Sequence, residues 1–364
     1  MEILPKTLGT RPRLAVEVRA EGVVAARAED ATALMTAVAR ADLAEGAVTP
    51  SLKAGNIADR TAVTAAVRRV LDGIAGSGRE RLRDVTVVVP DSAARVLFVD
   101  FDQLPTKAAE ALPVVRFRLK KLLPFDAEDA TVSYQVMSSE KNSIKLLAVA
   151  MPKAVLEEYE SVVLAAGYLP GAVLPSTLAA LAGLEEDPAP VLVVNAGQGT
   201  VTTAIVRAGM LLLHRSVDMS AGAPTELTTV VPLVDRESTA EEWSRQEALG
   251  PGGWDRFDAE AAMQTSVVEM AVARETGARA AAHEVAQAVS VAAAYFEDSL
   301  QRSPEQLLVA GTLGAESVGA MMEESGVEGL RVREMVDAGM MEVGAVTASV
   351  PRGWLAGVRG ALRN

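Results

Sequence analysis

Val191-Leu-Val-Val-Asn-Ala-Gly-Gln-Gly-Thr200-Val-Thr-Thr-Ala-Ile-Val-Arg207 decides the reading of this chain. Val191 to Val194 is a short β-branched run, as in a strand buried on both faces. Asn195 then meets Gly197 and Gly199, which allow a tight turn and a close backbone approach. Val201, Thr203 and Ile205 alternate with Thr202 and Ala204, so the chain leaves as a second strand. Arg207 to Met210 turns it into Leu211-Leu-Leu213, giving a meander with a hydroxyl-rich hairpin at its first corner. One reading of that corner is a tight turn with threonines on a pleated surface. The other is an anion hairpin, whose backbone N–H groups and Thr200 and Thr202 hydroxyls approach a phosphate.

Composition narrows what surrounds this corner. A chain of 364 residues is long enough for two domains and a sizeable core. Hydrophobic residues make up 49% but aromatic residues only 4%, so the core is built from Ala, Val and Leu. A net charge of −13 argues against a nucleic-acid partner, whose phosphates it repels. With no cysteine, disulfides, thiolate metal sites and cysteine nucleophiles are excluded. His214 and His283 lie far apart, which disfavours a histidine metal site or triad. The N-terminus lacks a signal-peptide pattern. Ser161 to Leu184 carries no charge, but Gly167, Pro170, Gly171 and Pro175 break it into a helix end, a short strand and a new helix. The chain therefore reads as soluble.

Outward from the hairpin, the order of elements repeats. Leu14–Val18 and Val23–Ala26 flank Glu21-Gly22 as a first hairpin, with a third apolar segment near Leu34–Val38. Asp59 to Ile74 is a helix, since Val63, Val67, Val70, Leu71 and Ile74 recur at three and four residues. Asp84–Val89 is a buried strand. A small α+β unit follows: strand Arg95–Asp100, helix Pro105–Leu123 with Val115, Leu119, Leu122 and Leu123 on one face, strands Thr131–Met137 and Ser143–Met151, and helix Pro152–Ala166. Ala221 to Gly253 reads as a loop or lid, and Asp258 to Leu300 as a long helical tract. Leu307–Ala310 is a strand running into Gly311-Thr-Leu-Gly314, where a helix begins, and Gly329–Val332 is a short strand. Pro351 to Arg363 is a terminal helix with Trp354, Leu355, Val358 and Leu362 facing the core.

A hairpin carrying Glu17, a second carrying Asn195-Ala-Gly197-Gln-Gly199-Thr200, a strand ending in Gly311-Thr-Leu-Gly314, and a C-terminal helix stand in one order. That order resembles the actin-like ATPases, with two phosphate hairpins and an adenosine motif. Leu112-Pro-Val-Val-Arg-Phe-Arg-Leu-Lys-Lys-Leu-Leu-Pro-Phe-Asp126 followed by Val132-Ser-Tyr-Gln-Val136 is similar to the PilM-like proteins of type IV pilus assembly. Ala166-Gly-Tyr-Leu-Pro170 and Tyr295-Phe-Glu-Asp-Ser299 also look similar to family segments.

The resemblance implies an α/β, two-lobed actin-like (ribonuclease-H-like) fold. The first lobe is expected over 1–187 with an insertion at about 93–153, the second over 188–364 with a mobile segment at about 221–256. It implies ATP with magnesium at Gly197, Gly199, Thr200 and Thr202 and at Gly311, Thr312 and Gly314. It further implies a cytoplasmic scaffold at the inner-membrane face, with room for self-association, that docks the tail of a PilN-like membrane protein. Arg116, Arg118, Lys120 and Lys121, the most basic short segment, are the docking residues expected. The departures argue against catalysis. Arg19 stands where the family has glycine, Glu21 repels a phosphate, and Asn195 replaces an aspartate. An amide is no general base, and its loss alone costs about 10²–10⁴ in rate. The rival readings are an active actin-like ATPase or small-molecule kinase, and a cytoplasmic component of a type II secretion platform.

Overall fold

A computed structural model of the chain describes residues 11–76, 82–141, 143–185, 187–197, 199–219, 280–327, 329–342 and 350–363. The expectations for residues 221–256 and for the helical tract up to 279 lie outside the described residues. Nearly all described residues fall in one compact unit, Met1–Met219 with Glu284–Asn364.

The chain begins with an antiparallel meander of β1 (Leu14–Val18), β2 (Gly22–Ala28) and β3 (Met35–Asp42). Helix α1 (Arg60–Ile74) starts at Asp59, whose side chain accepts from the Ala62 N–H, and buries the five apolar positions picked out by periodicity. It returns the chain to β4 (Asp84–Val89), parallel to β1. Then come β5 (Arg95–Phe101), α2 (Ala108–Leu119), β6 (Ala130–Glu140), β7 (Ser143–Pro152) and α3 (Lys153–Ala165). Strand β8 (Leu169–Pro175) joins β4 in parallel, and α4 (Ser176–Ala182) leads out. The first sheet thus has the order β3-β2-β1-β4-β8, while β5-β7-β6 form a separate antiparallel sheet.

The pattern then repeats. Strands β9 (Val191–Ala196), β10 (Thr200–Arg207) and β11 (Met210–Asp218) make a second meander. Helix α5 (280–300) precedes β12 (Gln306–Gly311), which lies parallel to β9. Helix α6 (Gly314–Glu324) and β13 (Arg331–Glu334) complete a sheet of order β11-β10-β9-β12-β13. Each sheet is therefore a three-stranded meander extended by two parallel strands, and β9 occupies in the second the place of β1 in the first.

Strand alternation sets what each face carries. In β1, Leu14, Val16 and Val18 pack under α1 and α3, while Ala15 and Glu17 point the other way. In β9, Leu192, Val194 and Ala196 pack against α5 and α6, leaving Val193 and Asn195 on the opposite face. Those two opposite faces share one core, filled by α4 and by α7 (Leu355–Leu362). Helix α7 was expected to turn one face inward, yet all eight of its residues are buried. Its glycines explain this. A Cβ at Gly360 would stand 1.8 Å from the Ala179 carbonyl oxygen, and one at Gly357 would stand 2.5 Å from Glu17 Oε2. Only glycine lets this helix approach α4 and β1 so closely.

Two further expectations change in detail. Helix α2 ends at Leu119, four residues early, so Leu122 is half-exposed rather than packed with Val115 and Leu119. The uncharged run Ser161–Leu184 folds as the end of α3, then β8 and α4. Among the described residues, no helix is long and apolar enough to cross a membrane.

Candidate functional site

Where β1 and β9 end, their inward-facing polar residues meet side chains from two turns. Asp91 follows β4 in a 3-10 turn, and Ser176 and Thr177 open α4. Ser176 Oγ donates to Glu17 Oε1 at 2.6 Å and accepts from Arg19 Nη2 and Asn195 Nδ2, both at 2.9 Å. Thr177 Oγ1 donates to Asp91 Oδ2 at 2.5 Å and accepts from Asn195 Nδ2 at 3.0 Å. The Thr177 backbone N–H also donates to Asp91 Oδ1, at 2.9 Å. Each hydroxyl has one proton, and each proton is committed to a carboxylate. The side chain at 195 must therefore bring hydrogens, and an amide does so.

Arg19, at the position where the family has glycine, lines the cleft. It folds back, 7% exposed, and pairs with the fully buried Glu17 at 2.6 Å. Burial pushes the Glu17 carboxyl above the usual glutamate range, against the pull of Arg19 and the Ser176 hydrogen bond. This guanidinium is thereby committed to an internal charge.

The second hairpin is closed on itself. Gly197 N–H donates to the Thr200 carbonyl at 3.2 Å, and the Thr312 and Leu313 N–H groups both donate to the Ala196 carbonyl. Gly311 has φ +99°, and a Cβ there would stand 2.2 Å from the Ala196 oxygen, so this glycine serves the approach of β12 to β9. Gly314 has φ +74° at the start of α6, where Ala315 N–H donates to Glu334 Oε1 at 2.9 Å. Thr312 Oγ1 donates to Glu21 Oε1 at 2.8 Å. Gly197, Gly199 and Thr200 line a cleft of about 150 Å³ together with Arg19, Glu21, Asp91 and Asp218. Thr202 does not reach it: its hydroxyl is fully buried in the sheet and shares a 2.9 Å hydrogen bond with Ser216.

The cleft is small beside the roughly 300–1,000 Å³ of ordinary ligand pockets. Three carboxylates and one already paired guanidinium line it, a poor setting for a polyphosphate. Among the described residues, no group of acids and histidines is placed to hold a metal ion. The described lining residues fit ATP with magnesium badly, and no catalytic step is assigned to them. Sequence reading singled out Glu17, Arg19, Glu21 and Asn195 but missed Asp91, Ser176 and Thr177. Pro90-Asp91 after a buried strand and Pro175-Ser-Thr177 opening a helix were the available signals.

The basic segment lies elsewhere, on the inserted sheet's helix. Arg116 donates to the Ala127 carbonyl at 3.1 Å, while Arg118, Lys120 and Lys121 are exposed. Beside them Phe117 is 73% exposed, Leu122 50% and Val114 38%.

No protein-family model matches the chain, and no curated protein matches it. Among solved structures, one chain of a PilM–PilN type IV pilus biogenesis complex aligns over 97% of this chain and 99% of its own, with 16% identity and a TM-score of 0.66. The chain has the actin-like ATPase fold. Two others align less well. EutJ, an ethanolamine utilization protein of Carboxydothermus hydrogenoformans, covers 99% of this chain and 91% of its own at 11% identity and a TM-score of 0.43. The cytoplasmic domain of EpsL, from the type II secretion system of Vibrio cholerae, covers 57% and 71% at 16% identity and a TM-score of 0.37. Within the actin-like fold, this chain's two strand-end hairpins face each other across a cleft filled by its own polar side chains.

Proposed function

We propose that this chain is a non-catalytic actin-like scaffold of a type IV pilus or related inner-membrane assembly platform. It works at the cytoplasmic face and docks the tail of a PilN-like membrane protein. The observation that supports it is the combination of a full-length match to a chain of the PilM–PilN complex with a cleft lined by three carboxylates and a guanidinium already paired with Glu17. A protein of this shape that does not use the nucleotide acts through its surfaces. The docking face is α2 and the turn after it. Phe117 and Leu122, with Val114 behind, are the apolar anchors, and Arg118, Lys120 and Lys121 steer an acidic or mixed tail. Arg116, spent on Ala127, contributes less than the sequence suggested.

Exposed charge pairs add only about 0.2–1 kcal/mol each. Burying a phenylalanine adds about 1.5–3 kcal/mol, so the apolar anchor carries most of the affinity. Phe117→Glu is expected to weaken tail binding about 10- to 100-fold, read by titration calorimetry against a synthetic tail peptide. Arg118→Glu with Lys121→Glu is expected to weaken it several-fold at low salt and less at high salt. Unchanged affinity in both variants would place the docking face elsewhere.

A further inference from the structure

The two hairpins are joined by an acid of the chain itself. Glu21 sits at the tip of the β1–β2 hairpin, in a turn fixed by Arg19 N–H donating to the Gly22 carbonyl at 2.9 Å. Its own carbonyl accepts from Leu43 N–H at 3.1 Å, which ties the tip to the end of β3. Gly22 is packed so tightly that a Cβ would stand 2.6 Å from the Ala41 carbonyl oxygen. The tip is therefore held in place before its side chain makes any contact.

From that position the Glu21 carboxylate reaches Thr312 in the turn after β12, beside Gly197 of the second hairpin. Thr312 Oγ1 donates to Oε1 at 2.8 Å, and the same oxygen would lie 3.1 Å from a Cβ at Gly197. The acid thus lies over the bare backbone of a glycine and against a hydroxyl donor. The Glu21 oxygen sits where an anion approaching Gly197 from the cleft would lie. The partners are 291 residues apart in sequence and belong to different sheets, so the contact bridges the cleft.

We infer that Glu21 is the built-in anion of this cleft: its carboxylate occupies the position between Gly197 and the Thr312 hydroxyl and latches the two sheets together without a nucleotide. A free phosphate entering there would meet the Glu21 charge, and the chain gains by covalent attachment what a dissociable ligand gains by concentration. The closed arrangement then does not depend on cellular nucleotide, which goes beyond the lack of catalysis argued above. The latch has a second fastening deeper in the cleft, where Asn195 donates across to Ser176 and Thr177. Loss of Glu21 alone should loosen the cleft rather than unfold the chain.

Hydrogen exchange of the whole chain tests this, with inorganic phosphate and magnesium ADP as probes. In the wild type, exchange over 195–203 and 311–315 should not change with either probe at millimolar concentration. Glu21→Ala should speed exchange in those segments about tenfold or more, with the loss of at least the charge-assisted hydrogen bond to Thr312. Phosphate should slow it again in that variant by filling the vacated position. Glu21→Gln, which keeps an acceptor but not the charge, should fall between the two. Equal exchange in the wild type and Glu21→Ala, or no response of Glu21→Ala to phosphate, would overturn the inference. If Glu21→Ala does not fold, the wild type and Glu21→Gln decide. Protection of the wild type by magnesium ADP, or Glu21→Gln exchange identical to wild type, counts against the latch.

Discussion

Asn195→Asp is expected to destabilise the protein by about 2–4 kcal/mol and to confer no ATP hydrolysis. In the actin-like reading this change restores the residue type of an active relative, so a gain is the naive expectation. The hydrogen-bond directions argue the reverse. Ser176 and Thr177 have already given their protons to Glu17 and Asp91, so a carboxylate at 195 would face two hydroxyl lone pairs. It would also lie close to Asp91 Oδ2, which is 3.4 Å from the present amide nitrogen. Like charges at that distance in a buried site cost more than a surface pair. Urea unfolding measures the loss, and a coupled ATPase assay checks the missing gain. A variant as stable as wild type would mean that the hydroxyl protons are free to reorient.

Gly360→Ala should cost about 3 kcal/mol, at the upper end for overpacking. The added methyl would meet the Ala179 carbonyl oxygen at 1.8 Å and the Gly183 nitrogen at 2.8 Å, both backbone atoms. Neither can turn aside as a flexible side chain would. The displacement would also disturb Arg359, whose Nη1 donates to the Gly183 carbonyl at 2.7 Å. On an exposed helix the same substitution stabilises, because alanine has the higher helix propensity by about 1 kcal/mol. The sign of the change in melting temperature thus reports directly whether α7 is inserted between the sheets. A raised melting temperature would mean that it is not.

Much of the fold was legible because periodicity survives in sequence. The apolar spacing of α1, the β-branched run of β9, the alternation in β10 and the repeated order of hairpin, helix and strand pointed to two similar sheets before any contact was known. What lay beyond reach depends on contacts between distant segments. Nothing near Thr312 indicates that a carboxylate 291 residues away will accept its hydroxyl hydrogen. Gly357 and Gly360 read locally as weakeners of a helix, and only the approach of α4 and β1 gives them a role. Arg19 stood out as a departure from glycine, but sequence does not reveal the direction of its side chain, which turns to Glu17 two residues before it. On α2 the basic residues and the Val115–Leu119 face stood out, whereas the exposure of Leu122 became visible only once the helix was seen to end at Leu119.

The central claim is that this actin-like chain works as a scaffold whose docking state does not depend on nucleotide. Titration calorimetry of the wild-type chain with the cytoplasmic tail of the same cell's PilN-like protein, run with and without magnesium ATP, tests it most directly. The account predicts the same tail affinity in both runs and no heat of nucleotide binding when ATP is added alone. A tail affinity that changes tenfold or more with ATP, which corresponds to about 1.4 kcal/mol of coupling, would contradict it.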